Sequence, residues 1–207
     1  MTLNSYSALQ SAIESWLLRT DIATVADDFI TLAEAQINRD VRHWRMVTTA
    51  SLTIDAQYVA LPSDWVDTIR ISTNASGYAP LRLSSVADIE AMRGSNSDTT
   101  GTPGYYAHIG SNFEFYPTPD TTYTGELIYT AKIPALSDSN TTNWLLDEAP
   151  DVYLYGSLIQ SAPYLVEDAR IAVWGALYAA AVKRLNDTSD AAKWSGTGLK
   201  FGTRRTS

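Results

Sequence analysis

Apolar residues recur at helical spacing between Pro150 and Asn186 more regularly than anywhere else in the chain. Tyr155, Leu158, Ile159 and Ala162 fall at i, i+3, i+4 and i+7, which puts them on one helical face. Ile171, Trp174, Tyr178, Ala181, Val182 and Leu185 continue a second stripe for about five turns, roughly 28 Å at about 1.5 Å per residue. Pro163 lacks an N–H and disfavours the helical conformation at Ala162, so the first helix is expected to end there and the pair to form an antiparallel hairpin.

Two further helices are predicted at the start of the chain. Residues 5–19 carry Tyr6, Leu9, Ile13, Trp16 and Leu17 on one face, with Ser5 as N-cap and a break at Thr20 or Asp21. A second helix from about Thr24 to Arg42 has Val25, Phe29, Leu32, Ala33, Gln36 and Ile37 as its stripe. Asp27 and Asp28 sit in its first turn and Arg39 and Arg42 in its last, as the helix dipole favours. The dipole therefore accounts for the cluster Arg39, Arg42, His43 and Arg45, with a binding patch as the alternative.

From Val47 the period changes to alternation. Thr49–Ile54, Tyr58–Leu61, Val66–Ser72, Pro80–Leu83, Tyr105–Ile109, Phe113–Tyr116 and Gly125–Ile133 are rich in β-branched and aromatic residues, with turn signals between them. Ser85 is placed to cap a short helix through Val86, Ile89 and Met92, ended by Gly94. Ser95–Pro103 is polar and glycine-rich and reads as a mobile loop.

The pattern thus predicts an α+β protein. Neither terminal pair of helices buries its apolar face alone, so the two are expected to close on each other as one discontinuous helical bundle, residues 1–47 with 141–195. Residues 48–140 would be an inserted antiparallel sheet or sandwich, and 196–207 a flexible, extended C-terminal arm. The alternative is two separate helix pairs, each docked on the sheet.

Composition narrows the function. Without cysteine there is no disulfide, thiolate zinc site or cysteine nucleophile, and His43 and His108 are too few and too far apart in sequence for a histidine-based site. No cofactor, metal or catalytic residue is expected. The opening residues MTLNSYSALQ lack a secretory pattern, and no stretch approaches the roughly 18 apolar residues of a membrane span, so neither secretion by the usual signal nor membrane insertion is expected. The net charge of −8 is uneven: residues 1–182 sum to −12 and residues 183–207 to +4. An acidic body argues against gripping nucleic acid by its phosphates. In the tail, Leu199 and Phe201 alternate with basic residues, a pattern suited to an arm that orders on a partner by strand addition or cleft insertion.

Several segments, in order, resemble the head-to-tail adaptor (connector) proteins of short-tailed bacteriophages, of the tail tubular protein A or tail accessory factor type. They are Phe29–Arg39, Tyr58-Val59-Ala60-Leu61-Pro62-Ser63-Asp64-Trp65, Gly101–Tyr106, Phe115–Asp120, and Trp144-Leu145-Leu146 running into Pro150–Gly156. The resemblance spans residues 5–186. It implies a helical bundle carrying an inserted β domain, and a non-enzymatic virion protein of the neck, made in the host cytoplasm. It further implies a ring, typically of twelve copies, beneath the portal, joined to a downstream tail or nozzle protein. Such a ring extends the channel for double-stranded DNA, helps retain the packaged genome and allows its ejection, without binding DNA specifically. Within that reading Leu199, Lys200, Phe201, Gly202, Thr203, Arg204 and Arg205 are the expected portal-binding residues, with Leu199 and Phe201 as apolar anchors.

Two other functions compete. Tyr105, Tyr106, Phe113, Phe115 and Tyr116 could form the aromatic platform of a ligand- or carbohydrate-binding module. Asp147, Glu148 and Asp151 could be paired carboxylates of a hydrolase, although acids at a helix start are equally explained by capping, as are Glu167 and Asp168.

Overall fold

A computed structural model describes residues 3–19, 21–22, 24–76, 79–95, 99–164 and 170–194. The chain divides into two compact units, Met1–Trp44 with Ile133–Ser207, and Arg45–Lys132.

The first unit is helical. Helix α1 (Tyr6–Leu17) begins at Ser5, whose Oγ accepts the Ala8 amide at 3.3 Å, and ends at Leu18 in the left-handed conformation. Helix α2 (Ala26–Asp40) has Asp27 and Asp28 in its first turn and Arg39 in its last. The short α4 (Trp144–Glu148) leads into α5 (Pro150–Gln160), with proline in the first turn where its missing N–H costs nothing. A long α6 (Arg170–Trp194) follows. Helix α5 packs on α1, α2, α4 and α6. That central position explains why its buried residues, Val152, Tyr153, Leu154, Gly156, Ser157 and Leu158, do not form the single stripe of Tyr155, Leu158, Ile159 and Ala162 that spacing suggests, of which Leu158 alone is buried. At Gly156 an added Cβ would lie 3.3 Å from the Tyr178 ring and 3.4 Å from Ala33 Cβ, so α2, α5 and α6 approach closely at a residue without a side chain.

Two helical expectations shift. On α2 the buried face is Ala26, Phe29, Ile30, Ala33, Glu34 and Ile37, and Leu32 is 52% exposed. The face is rotated because Glu34 turns inward to meet polar partners. On α6 the predicted stripe is buried at Trp174, Tyr178, Ala181, Val182 and Leu185, with Ile171 half-buried, and the helix runs on past Leu185 without a break. It continues to Trp194, with Ser189 fully buried and its Oγ accepting the Trp44 amide at 2.9 Å.

The second unit is a two-sheet sandwich. Strands β1 (Val47–Ile54), β7 (Tyr123–Ala131) and β3 (Trp65–Thr73) form one antiparallel sheet in the order β1-β7-β3. The other sheet has the order β2-β6-β5-β4, from β2 (Tyr58–Ala60), β4 (Arg82–Leu83), β5 (Tyr105–Ile109) and β6 (Asn112–Tyr116). Leu52, Ile54, Ile71 and Leu127 from the first sheet meet Tyr106, Phe113 and Phe115 from the second in one core. The sheets are not wholly antiparallel: β4 and β5 run parallel. They are joined through helix α3 (Val86–Ser95), the crossover that a parallel pair requires. Ser85 caps α3 as expected, accepting the Asp88 amide at 3.1 Å and donating to its carboxylate at 2.7 Å. Gly94 lies inside the helix instead of ending it. The turn between β5 and β6 uses Gly110 at a φ of 57°, a conformation that favours glycine. Of the expected loop Ser95–Pro103, Thr100 bridges to Thr118, and residues 96–98 lie outside the described residues.

Candidate functional site

In the helical unit the most distinctive surface follows from the composition of α6. Its first half, Arg170 to Val182, is apolar nearly all round, a pattern associated with helices covered on every side. Among the described residues only one side is covered. Trp174, Tyr178, Ala181 and Val182 face inward, whereas Val173 is 57% and Leu177 40% exposed, flanked by exposed Ala172, Ala176, Ala179 and Ala180. Beyond Lys183 the outer face turns charged, with the pairs Lys183–Asp187 and Lys193–Asp190.

Beside this face lies a groove of about 700 Å³, lined by Gln36 and Asp40 of α2, Ile159 of α5, and Gly175, Tyr178 and Val182 of α6, among others. A Cβ built on Gly175 would meet nothing within 4 Å. A glycine inside a helix costs about 1 kcal/mol relative to alanine, and no close approach within the chain accounts for this one. The α2 edge of the groove is fixed by α6: Tyr178 donates to Asp40 at 3.0 Å, and Asn186 donates to the Asp40 carbonyl at 3.1 Å and accepts the Arg42 amide at 2.8 Å.

Half-exposed aromatics mark the same unit. Trp16, 45% exposed, meets Tyr155 edge-on at 6.0 Å, and Tyr164, 47% exposed, meets Phe29 at 5.7 Å. Arg170 donates to the Trp16 carbonyl at 3.2 Å and lies over the Trp174 ring at 5.1 Å. Aromatic and arginine side chains held in this way, part buried and part presented, are typical of interface anchors.

Below the surface a polar hub holds the helices in register. Glu34 Oε1 accepts the Leu136 amide at 2.7 Å and the Tyr153 hydroxyl at 3.3 Å. Asn143 donates to the Tyr153 oxygen at 2.7 Å and to the Pro134 carbonyl at 2.6 Å, and its own oxygen caps α4 by accepting the Leu145 and Leu146 amides. Burial raises the Glu34 pKa against the lowering effect of these donors, and burial raises that of Tyr153. Sequence reasoning did not single out this hub, in which Glu34 is more than a hundred residues from Leu136 and Tyr153. The available signal was Asn143 standing immediately before Trp144-Leu145-Leu146.

Residues 4–200 match the family model described as SU10 adaptor protein. The chain belongs to that family. No curated protein matches it. The membership is consistent with a phage head-to-tail adaptor and points to a structural, non-enzymatic protein of the virion.

The adaptor places the other candidate residues as follows. The expected portal-binding residues, Leu199 to Arg205, lie outside the described residues, as do Glu167 and Asp168. In the β unit Tyr106, Phe113, Phe115 and Tyr116 are at most 8% exposed, so they are core and do not form a ligand platform. Asp147 accepts from Thr142 at 2.8 Å, and Asp151 lies in the first turn of α5, as capping and dipole require. In the basic cluster, Arg42 donates to the Asn38 and Val41 carbonyls at the end of α2, and His43 is buried and stacked on Trp144 at 4.9 Å. His108 is partly buried and its pKa is lowered by that burial. Among the described residues no helix is long and apolar enough to cross a membrane.

Proposed function

We propose that the adaptor assembles as a ring of twelve copies, the number its family resemblance implies, beneath the portal and joins it to the next tail protein. The observation that carries this reading is the first half of α6, apolar on the side that the described residues leave uncovered, together with the groove beside it. A ring is built from head-to-tail contacts between unlike surfaces that close by rotation, and it needs broad side faces of this kind. The excess of acid over base in residues 1–182 supports a conduit whose wall repels duplex DNA, which would pass without being gripped, be retained after packaging and leave on ejection.

The basic tail completes the proposal. Leu199 and Phe201 serve as anchors on the portal, and Lys200, Arg204 and Arg205 steer the encounter. Residues 196–207 act as the arm, and the discontinuous helical bundle and inserted β domain act as the body it extends from.

Symmetry-resolved imaging of intact particles tests the ring. Copies of this chain around the axis at the vertex through which the genome leaves are expected, with α6 in the contact between neighbours; copies placed elsewhere would overturn the proposal. Truncation after Ser195 tests the arm, and undiminished attachment to the portal would remove that part.

A further inference from the structure

The sandwich has four strand edges, and three of them are blunted. Strands β2 and β4 are only three and two residues long. Strand β3 carries two register shifts, between Trp65 and Asp67 and between Thr68 and Arg70, exposes Asp67 and Arg70, and is bridged at Ser72 to Pro80. Bulges, charges and short length are the usual devices by which a sheet edge avoids pairing with another chain.

Strand β1 has none of them. Its eight residues, Val47-Thr48-Thr49-Ala50-Ser51-Leu52-Thr53-Ile54, contain no charge, proline or glycine, and pair with β7 residue for residue without a bulge. Among the described residues no strand lies on its other edge. Val47, Thr49, Ser51 and Thr53 are exposed on the outer face, and Leu52 and Ile54 are buried on the inner one.

We propose that the free edge of β1 pairs antiparallel with β1 of a second copy. Backbone N–H and C=O groups on an edge without a neighbouring strand call for an extended partner, and this chain's other described edges are blunted, so β1 itself is the complement. The strand is self-complementary. Around a two-fold axis at Ser51, Thr49 faces Thr53 and Ser51 faces itself on the outer side, while Ala50 faces Leu52 and Thr48 faces Ile54 on the inner side. The absence of charge matters here, because a charge at the centre of such a pair would oppose its own copy. Two three-stranded sheets then become one continuous sheet. This contact is isologous, unlike the head-to-tail contacts of a ring, so it uses a different surface and stands or falls separately from the proposed function.

Light scattering on the full chain, with Ser51→Lys, Ser51→Glu and an equal mixture of the two, tests it. Ser51 is exposed, so both variants are expected to keep the wild-type melting behaviour. Wild type is expected to associate in pairs, each variant alone to lose that association by on the order of tenfold or more, and the mixture to regain it. If wild type forms a larger assembly, each variant should halve its mass. A wild type that stays monomeric at all concentrations, variants that associate like wild type, or a mixture that fails to recover would overturn the proposal. Thr49→Lys serves as the second variant should Ser51→Lys fold poorly. Loss of association on truncation after Ser195, with no effect of the charges, would assign the contact to the tail instead and would equally overturn it.

Discussion

The Tyr153 hydroxyl donates to Glu34 at 3.3 Å where neither side chain reaches solvent freely: Tyr153 is 1% and Glu34 9% exposed. The carboxylate gives up hydration there and is compensated by this hydroxyl and by the Leu136 amide. Removing the acceptor and removing the charge should therefore have different effects. Glu34→Ala leaves both donors buried and unpaired and is expected to cost about 2–4 kcal/mol. Glu34→Gln keeps an oxygen acceptor without a buried charge and should lie within about 1 kcal/mol of wild type. Urea unfolding of the two variants checks the split.

The same residue gives a pH dependence of unusual sign. Because burial raises the Glu34 pKa in the folded state, its contribution is most favourable below the ordinary glutamate value and is lost as pH rises through the raised one. The stability difference between wild type and Glu34→Gln is expected to shift in favour of Gln as pH rises over that window. Paired melts from acid to neutral pH measure it, and a constant difference would contradict the assignment.

At the alkaline end three phenols act together. Burial, followed by Asp27, pushes Tyr6 up to about 12, and burial raises Tyr153 and Tyr178 further still, the latter aided by Asp40. Raised values mean stability that is present below the ordinary phenol pKa of about 10 and lost as pH climbs through the shifted ones. The helices should melt in the same alkaline range in which these tyrosines ionise, which circular dichroism and tyrosine absorbance can follow in one titration. Tyr178→Phe should move that midpoint upward.

In the β unit, Arg93 reaches from α3 to Glu114, whose side chain is 4% exposed, at 3.0 Å, and also donates to Thr118 at 3.1 Å. Arg93→Ala leaves the carboxylate with Gln57, at 3.0 Å, as its one side-chain donor among the described residues, and is expected to cost about 2–4 kcal/mol. Adding Glu114→Gln should recover part of the loss. Hydrogen exchange in α3 and β6 reads both steps.

Close packing gives a steric prediction at Gly156. A leucine there must displace the Tyr178 ring and Ala33, and overpacking of this kind costs about 1–3 kcal/mol. Gly156→Ala gains helix propensity against a contact that has to yield by a few tenths of an ångström, so it should be much milder. Thermal melts of the two variants distinguish them.

What could be read from the chain beforehand was mostly local. Ser5 and Ser85 as caps, the inward stripe of α6 and the Gly110 turn each depend on residues within a few positions of one another. The buried face of α2 differs from the stripe that spacing predicts because Glu34 turns inward to partners, Leu136 and Tyr153, that are distant in sequence. For the aromatics of β5 and β6 the core reading was the commoner one for strand residues, and the facing sheet supplies the partners that a ligand platform would have lacked. For the candidate interface, the sequence Arg170–Val182 shows apolar residues on every side, yet only the inward half was used in predicting a helix pair. The outward half becomes meaningful once the described residues are seen to leave it uncovered.

Helix α6 runs without interruption from Arg170 to Trp194, about 37 Å at 1.5 Å per residue, and the 13 residues after it start from the tip of that rod. Their tether length is bounded by covalent geometry: fully stretched, they span at most about 43–47 Å. Whatever Arg204 and Arg205 touch must lie within that radius of Trp194. On the proposed reading of the arm, lengthening the segment at Ser195-Gly196 is expected to be tolerated, because it widens this radius.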